Sequence, residues 1–346
     1  MRIEKKSALI HEYPSRKVTP NRSKDMSNPQ KKALIMGISG QDGAYLTKLL
    51  LDKGYQVFGT SRDVQMSSFA NLRRLDVLDR VTLFSVAVND FRSVLQAIIR
   101  SEPDEIYNLA GQSSVGLSFE QPMETFESIS VGVINLLEAI RFFERPVRLY
   151  NAGSSECFGN TQGVPANEET PYRPRSPYAV AKSAAFWEVA NYREAYGLYA
   201  CSGILFNHES PLRPERFVTQ KIVAAACRIA REGGGELSLG NIDVQRDWGW
   251  APEYVEAMWL MLQQDAPDDY VIATGQTFSL EDFVRMVFER LDLDWTRHVR
   301  TNPEFIRPTD IMISRADPTK AARELGWRAK FAMPDVARMM VEAKVK

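Results

Sequence analysis

Ala33-Leu-Ile-Met36, followed at once by Gly37-Ile-Ser-Gly40-Gln-Asp-Gly43, decides the fold. A short apolar run that ends in glycine fits a strand buried on both faces. Beyond the turn, Tyr45, Leu46, Leu49 and Leu50 fall at helical spacing, which predicts a helix over 43–53. Glycine at 37 permits a tight turn. Glycine at 40 lets a pyrophosphate approach the backbone, and glycine at 43 lets the helix pack on the strand. The helix N-terminus then offers N–H groups and partial positive charge to phosphates. The segment therefore reads as a dinucleotide-binding turn, with a purely structural glycine turn as the alternative.

Outward from this turn the chain alternates. Strands are expected at 55–60, 81–86, 105–110, 147–152 and 198–205, with helices at 91–100, 123–143 and from Ser176-Pro177 to about Tyr196. Pro177 sits early in its helix, where a missing N–H costs little. This pattern predicts an α/β fold, a Rossmann-type doubly wound parallel sheet with ligands at one strand edge. After Asn207 the pattern changes. Pro211 and Pro214 interrupt it, Ser279 is placed to cap a helix over 280–291, and Asp317-Pro318 opens another that Gly326 closes. Residues 32–206 are expected to form the dinucleotide-binding domain with the reacting groups. Residues 207–346 are expected to form a smaller mixed α/β region, interleaved with the first, that binds substrate.

With 346 residues and a formal net charge of -1, the chain is long enough for this arrangement and gives no bulk attraction to nucleic acid or membrane. Cys157, Cys201 and Cys227 show neither metal spacing nor disulfide density, so no metal is expected and the natural compartment is the cytoplasm. No apolar run approaches the ~18–20 residues of a membrane helix. Residues 1–31 differ: they are basic, carry three prolines, and lack both apolar periodicity and a signal-peptide core. They read as a disordered extension, or as the product of an upstream start with Met26 the alternative.

The chemistry lies in Tyr178-Ala-Val-Ala-Lys182 and Ser154-Ser-Glu156. Tyr178 and Lys182 are four residues apart and share a helix face. A free phenol has a pKa near ~10 and is a poor base at neutral pH. A neighbouring ammonium and a cationic nicotinamide favour phenolate, which can take a hydroxyl proton. Ser154 or Ser155 can hydrogen-bond the same substrate oxygen. Hydride transfer has no use for Glu156. If hydride leaves C4 of a sugar, however, the C5 proton turns acidic. A carboxylate there can remove it and protonate the departing 6-hydroxyl, so that water is lost and hydride returns to C6. The alternatives are an exposed Tyr–Lys pair and a Glu capping a loop.

After the second strand, Ser61-Arg62-Asp63 offers an arginine suited to the 2′-phosphate of NADP and an acid suited to the 2′-hydroxyl of NAD. NADP is favoured and NAD stays open.

These residues resemble the extended short-chain dehydrogenases/reductases and, more narrowly, the GDP-mannose 4,6-dehydratases. The resemblance runs from about residue 31 to the C-terminus. Its segments are Gly37–Leu46, Arg175–Lys182, Gly203-Ile-Leu-Phe-Asn-His-Glu-Ser-Pro211, Arg246-Asp-Trp-Gly249 and Tyr254–Leu262. It implies a lyase that converts GDP-mannose to GDP-4-keto-6-deoxymannose, with a tightly bound, recycled nicotinamide. It implies catalytic roles for Ser154, Glu156, Tyr178 and Lys182. Cofactor contacts fall to Gly37, Ser39, Gly40, Gln41, Asp42, Gly43, Arg62, Leu109, Ala110 and His208 besides Tyr178 and Lys182. His208 is expected to order the loop near the nicotinamide. Ser113 and Asn207 would meet the mannosyl or diphosphate portion, Lys221 would face the diphosphate, and Arg246 and Arg307 would clamp it. A homo-oligomer, dimer or tetramer, is also implied.

Four departures stand out. Ser154 replaces a threonine, Arg62-Asp63 replaces paired arginines, and Phe158 replaces a tyrosine. Ala87-Val88 occupies the place that meets adenine, which leaves Asn89 or Asp90 to hold the base. Three other readings compete: a dehydratase of another GDP-hexose or GDP-heptose, a nucleotide-sugar 4-epimerase with no need of Glu156, and a non-catalytic nucleotide-binding scaffold.

Overall fold

Seven strands form one sheet in which every neighbouring pair is parallel: β1 (Lys32–Met36), β2 (Gln56–Ser61), β3 (Thr82–Ser85), β4 (Glu105–Asn108), β5 (Arg148–Ala152), β6 (Ala200–Leu205) and β7 (Tyr270–Ile272). The structure, a computed structural model, describes residues 30–306 and 308–345. The strand order is β7-β6-β5-β4-β1-β2-β3, so the chain reverses direction across the sheet between β1 and β4. A crevice at such a reversal, outside the carboxyl ends of the strands, is where this architecture binds ligands.

The longer helices are α1 (Gln41–Asp52), α2 (Phe91–Ser101), α3 (Gly132–Phe143), α4 (Pro177–Tyr196), α5 (Val218–Glu232), α6 (Ala251–Met261), α7 (Leu280–Glu289) and α8 (Met333–Val345). Successive residues of β1 point to opposite faces. Ala33 and Ile35 pack with Leu46 and Leu50 of α1 and Val255 and Met258 of α6. Leu34 and Met36 pack with Ile98 of α2, Leu137 of α3 and Val189 of α4. Both faces are covered, which is why β1 reads as a continuous apolar run.

Strand and helix boundaries of the first half agree with the sequence reading to within a few residues. Two features were not legible. β7 is a three-residue strand, all buried, that extends the sheet beyond β6. The stretch expected as one helix over 123–143 is broken by a π turn at Glu127–Val131.

Residues beyond 206 serve more than one core. α6 and β7 join the first. Ile222 and Ile229 of α5, Phe283 and Phe288 of α7, and Val336 and Met340 of α8 build another with Leu237, Leu239 and Trp248. Two small parallel pairs carry this region, Asn207–Glu209 with Trp248–Trp250 and Leu237–Leu239 with Val299–Thr301. Ser279 caps α7 in a reciprocal box with Asp282, and Gly326 takes a positive φ just after the helix Thr319–Glu324.

Candidate active site

The dinucleotide turn is shaped by close backbone approach. Gly37 has φ +83°, and a Cβ there would lie 2.9 Å from the Leu109 carbonyl oxygen. A Cβ on Gly43 would lie 2.6 Å from the Gly37 carbonyl oxygen. At Gly40 a Cβ would meet only the Gly37 carbonyl oxygen, at 3.5 Å, an ordinary contact. No side chain caps α1. A residue without a side chain at Gly40 and uncapped N–H groups at a helix start fit the pyrophosphate of a dinucleotide.

The side chains of Gln41 and Asp42 turn inward. Gln41 accepts from the Ser210 hydroxyl at 2.7 Å and donates to the His208 carbonyl at 3.2 Å. Asp42 Oδ2 lies 3.0 Å from His208 Nε2, and His208 Nδ1 lies 2.7 Å from the Phe206 carbonyl oxygen. Both imidazole nitrogens face acceptors, so the imidazolium satisfies both. Burial is the largest influence on His208 and would lower its pKa, but the charge and the hydrogen bond of Asp42 together outweigh it and the net shift is upward. Burial likewise opposes ionisation of Asp42, and His208 reverses that and lowers its pKa. The Ser39 carbonyl is held by Asn71 Nδ2 at 3.1 Å.

At the end of β2, the Arg62 side chain is 87% exposed, with Glu124 Oε1 3.5 Å away. Asp63 is engaged locally, accepting from the N–H groups of Gln65 and Met66 at 2.9 and 3.1 Å. Asp90, one of the two residues left to hold adenine, caps α2 by accepting from Arg92 and Ser93.

A cavity of about 400 Å³ opens beyond the carboxyl ends of β4, β5 and β6, and it brings together Ser154, Glu156, Tyr178 and Lys182 with Leu109 and Ala110. Ser154 caps the short turn Ser155–Phe158 by accepting from the Glu156 N–H at 3.3 Å. Ser176 caps α4 from the Ala179 N–H at 3.1 Å, which starts the helix just before Tyr178. Lys182 Nζ donates to the Ala152 carbonyl at the end of β5 at 2.7 Å and stands 5.9 Å from the Tyr178 ring centre. Burial pushes the Tyr178 phenol well up, and the Ser154 hydroxyl partly offsets this. Burial lowers Lys182 to about 8.

The other end of the same cavity receives Ser113, Asn207, Lys221 and Arg246. Lys221 Nζ donates to the Ser238 carbonyl at 2.7 Å and sits 4.4 Å from the Phe305 ring centre. Arg246 is buried, donating to the Ile311 carbonyl at 2.5 Å with Asp310 Oδ1 3.4 Å away. Arg307 lies outside the described residues, although Phe305 and Asp310 on either side of it border the cavity.

Arg213 and Arg216 also line this end and were missed. Arg213 Nε lies 3.1 Å from the buried Glu209 carboxylate, and its guanidinium covers the Phe217 ring at 3.9 Å. The readable signal was the basic series 213, 216 and 221 around Phe217-Val-Thr-Gln-Lys221. Among the described residues, no group of three or more His, Cys, Asp and Glu is placed to hold a metal ion.

The model of the GDP-mannose 4,6 dehydratase family matches residues 34–340. The GDP-mannose 4,6-dehydratase of Sinorhizobium fredii (strain HH103) is 46% identical over 338 residues, covering 90% of this chain and 96% of that protein. GDP-mannose 4,6 dehydratase 1 of Arabidopsis thaliana is 45% identical over 335 residues, covering 93% and 92%. Among solved structures, the UDP-glucose 4-epimerase of Thermus thermophilus, in complex with NAD, gives a TM-score of 0.78 at 26% identity over 90% of this chain and 97% of that one. The dTDP-glucose 4,6-dehydratase DesIV of Streptomyces venezuelae, a double mutant with NAD bound, gives 0.81 at 22% identity over 90% and 96%, a likeness of fold. The family model and the relatives agree, and the chain belongs to the GDP-mannose 4,6 dehydratase family.

Proposed function

We propose that this chain dehydrates GDP-mannose to GDP-4-keto-6-deoxymannose, using a nicotinamide dinucleotide that is recycled in place. The observation that carries the reading is that Glu156 lines the same cavity as Tyr178 and Lys182. A hydride exchange alone has no use for that carboxylate. Family membership supports the same reaction.

A nicotinamide dinucleotide held over Gly37, Gly40 and Gly43 would supply the hydride acceptor and donor that the C4 oxidation and the C6 reduction of the sugar require. The protein manages the protons. Tyr178 accepts the C4 hydroxyl proton, with the Ser154 hydroxyl on the same oxygen and the Lys182 ammonium favouring the phenolate. Glu156 takes the C5 proton once C4 is a ketone. It passes that proton to the 6-hydroxyl as the C6–O bond breaks, and water leaves; once C6 is reduced, C5 takes up a proton and Tyr178 gives up the one it held, so both groups end as they began.

NADP is the preferred cofactor. Asp63 spends its carboxylate on its own turn, which leaves the exposed Arg62 to meet a 2′-phosphate. Ser113 and Asn207 suit the mannosyl portion, and Lys221 with Arg246 and Arg307 suits the diphosphate. Residues 32–206 then serve mainly cofactor and chemistry, and 207–346 mainly the sugar nucleotide. Met123, Val180 and Trp187 are exposed on the adjoining helices Pro122–Phe126 and α4, which supports a homo-oligomer, dimer or tetramer. No described helix is long and apolar enough to cross a membrane. A cytoplasmic location goes with cysteines that are unpaired.

The test is mass spectrometry of purified protein with GDP-mannose and no added cofactor. A sugar nucleotide lighter by one water supports the reading. Unchanged GDP-mannose, also after NADP or NAD is added, overturns it.

A further inference from the structure

The loop after β4 carries residues 111–115 along the cavity wall, and Gln112 sets its shape. The Gln112 Oε1 accepts from the Ser114 N–H, and its Nε2 donates to the Ser114 carbonyl at 2.8 Å. One carboxamide thus holds both main-chain groups of Ser114, and Ser113 is pinched between the residue that clamps and the residue that is clamped.

The clamp is anchored from behind. Gln112 Nε2 also donates to Thr125 Oγ1 at 3.1 Å, and the Gln112 N–H donates to Ser128 Oγ at 3.2 Å. The Thr125 hydroxyl gives its own proton to the Gln121 carbonyl at 2.7 Å, so it faces Gln112 as an acceptor. Ser128 belongs to the π turn Glu127–Val131, an irregularity frequent at functional sites. Gly111, at φ +116°, fits against that turn, for a Cβ there would lie 3.0 Å from Ile129 Cγ1 and 3.2 Å from the Ser128 carbonyl oxygen. The π turn and the loop are therefore one fitted unit.

We infer that Gln112 is a positioning residue for the sugar. It fixes Ser113 toward the cavity, and through Ser113 it sets affinity for the sugar nucleotide. Tyr178, Glu156 and the cofactor turn are held by other contacts. The inference rests on the proposed contact between Ser113 and the sugar.

The experiment compares wild type, Gln112→Leu, Ser113→Ala and the double variant. Gln112→Leu should raise KM for GDP-mannose about tenfold while kcat falls by less than about threefold, the loss of uniform binding. Nicotinamide content of the purified protein should be unchanged. The double variant should be no worse than the weaker single, because the two residues act as one unit. Thr125→Val, which removes only the rear anchor, should raise KM about threefold. Amide hydrogen exchange of the Ser114 N–H should quicken in Gln112→Leu whatever the substrate.

An unchanged KM in Gln112→Leu, additive effects in the double variant, or loss of cofactor along with sugar affinity would each overturn the positioning role. Wild-type protein inert toward GDP-mannose would overturn the proposed function instead. The exchange rate of Ser114 would then decide the clamp by itself.

Discussion

Asp42 Oδ2 lies 3.0 Å from His208 Nε2, and this contact joins the glycine turn before α1 to the strand Asn207–Glu209. His208 also stacks on Tyr254 of α6 at 4.5 Å between ring centres. The imidazole therefore ties together the turn, the end of β6 and the helix packed beneath α1.

The pair makes stability depend on pH in a definite direction. The raised pKa of His208 contributes stability that is full below the ordinary imidazole value and lost as pH rises through the folded value. The lowered pKa of Asp42 contributes stability that is full above the ordinary carboxylate value and lost as pH falls through the folded value. Both contributions are whole between roughly pH 4 and 6.5. His208→Gln should therefore cost most there, about 3 kcal/mol for a broken buried pair, and less at alkaline pH. Thermal unfolding of both proteins from roughly pH 4 into the alkaline range checks this. A pH-independent difference would mean that the pair is not ionic.

Glu156 and Tyr178 should fail at different steps. Glu156→Gln should bind GDP-mannose nearly normally and lose ~100-fold or more in turnover, as expected for a positioned acid/base. Its trapped sugar nucleotide should be lighter by two hydrogens and not by one water, since C4 is oxidised and elimination stalls. Tyr178→Phe should stop before that, with only unchanged GDP-mannose recovered. Near-normal dehydration by Glu156→Gln would remove Glu156 from the proton transfer.

Arg62 decides the choice of cofactor if the 2′-phosphate reading is right. Its guanidinium is exposed and only distantly paired with Glu124, so Arg62→Ala should leave the fold intact. NADP affinity should fall roughly tenfold, the value of one charge-assisted phosphate contact, and NAD affinity should hardly move. Equal losses for both dinucleotides, measured by calorimetry, would rule out the contact.

What the sequence disclosed was what is local. The run Ala33–Met36, the glycine turn and the Tyr178–Lys182 spacing each lie within a few residues, so periodicity and turn chemistry reveal them. β7 escaped because three apolar residues carry no period, and its place in the sheet depends on β6. The π turn escaped because Gly111 and Gln112, distant in sequence, determine how it fits. Arg246 reads as a diphosphate ligand, while its burial against Ile311 and Asp310 comes from a loop some sixty residues on. Gln41 and Asp42 read as cofactor contacts from their place in the turn, while their side-chain bonds to Ser210 and His208 depend on a segment 169 and 166 residues on.

Gly40 and Gly43 separate cofactor binding from folding. Gly40 has φ -70° and ψ 173°, a conformation open to any L-residue, and a Cβ there meets only ordinary contact at 3.5 Å. Gly40→Ala should therefore fold with a stability within about 1 kcal/mol of wild type, the usual scale of a helix-start substitution. The added methyl nonetheless projects where a pyrophosphate would approach, so nicotinamide affinity should fall by about tenfold or more. Gly43→Ala is the reverse case. Its Cβ would press on the Gly37 carbonyl oxygen at 2.6 Å and on Ile38 Cα at 2.7 Å, both backbone atoms that cannot swing aside. α1 would have to lift from β1, at an overpacking cost of roughly 1–3 kcal/mol. Unfolding of the two cofactor-free variants, set beside their dinucleotide titrations, tests the placement directly. Gly40→Ala with undiminished affinity would show that no phosphate passes over that residue, and the turn would then be a packing device alone.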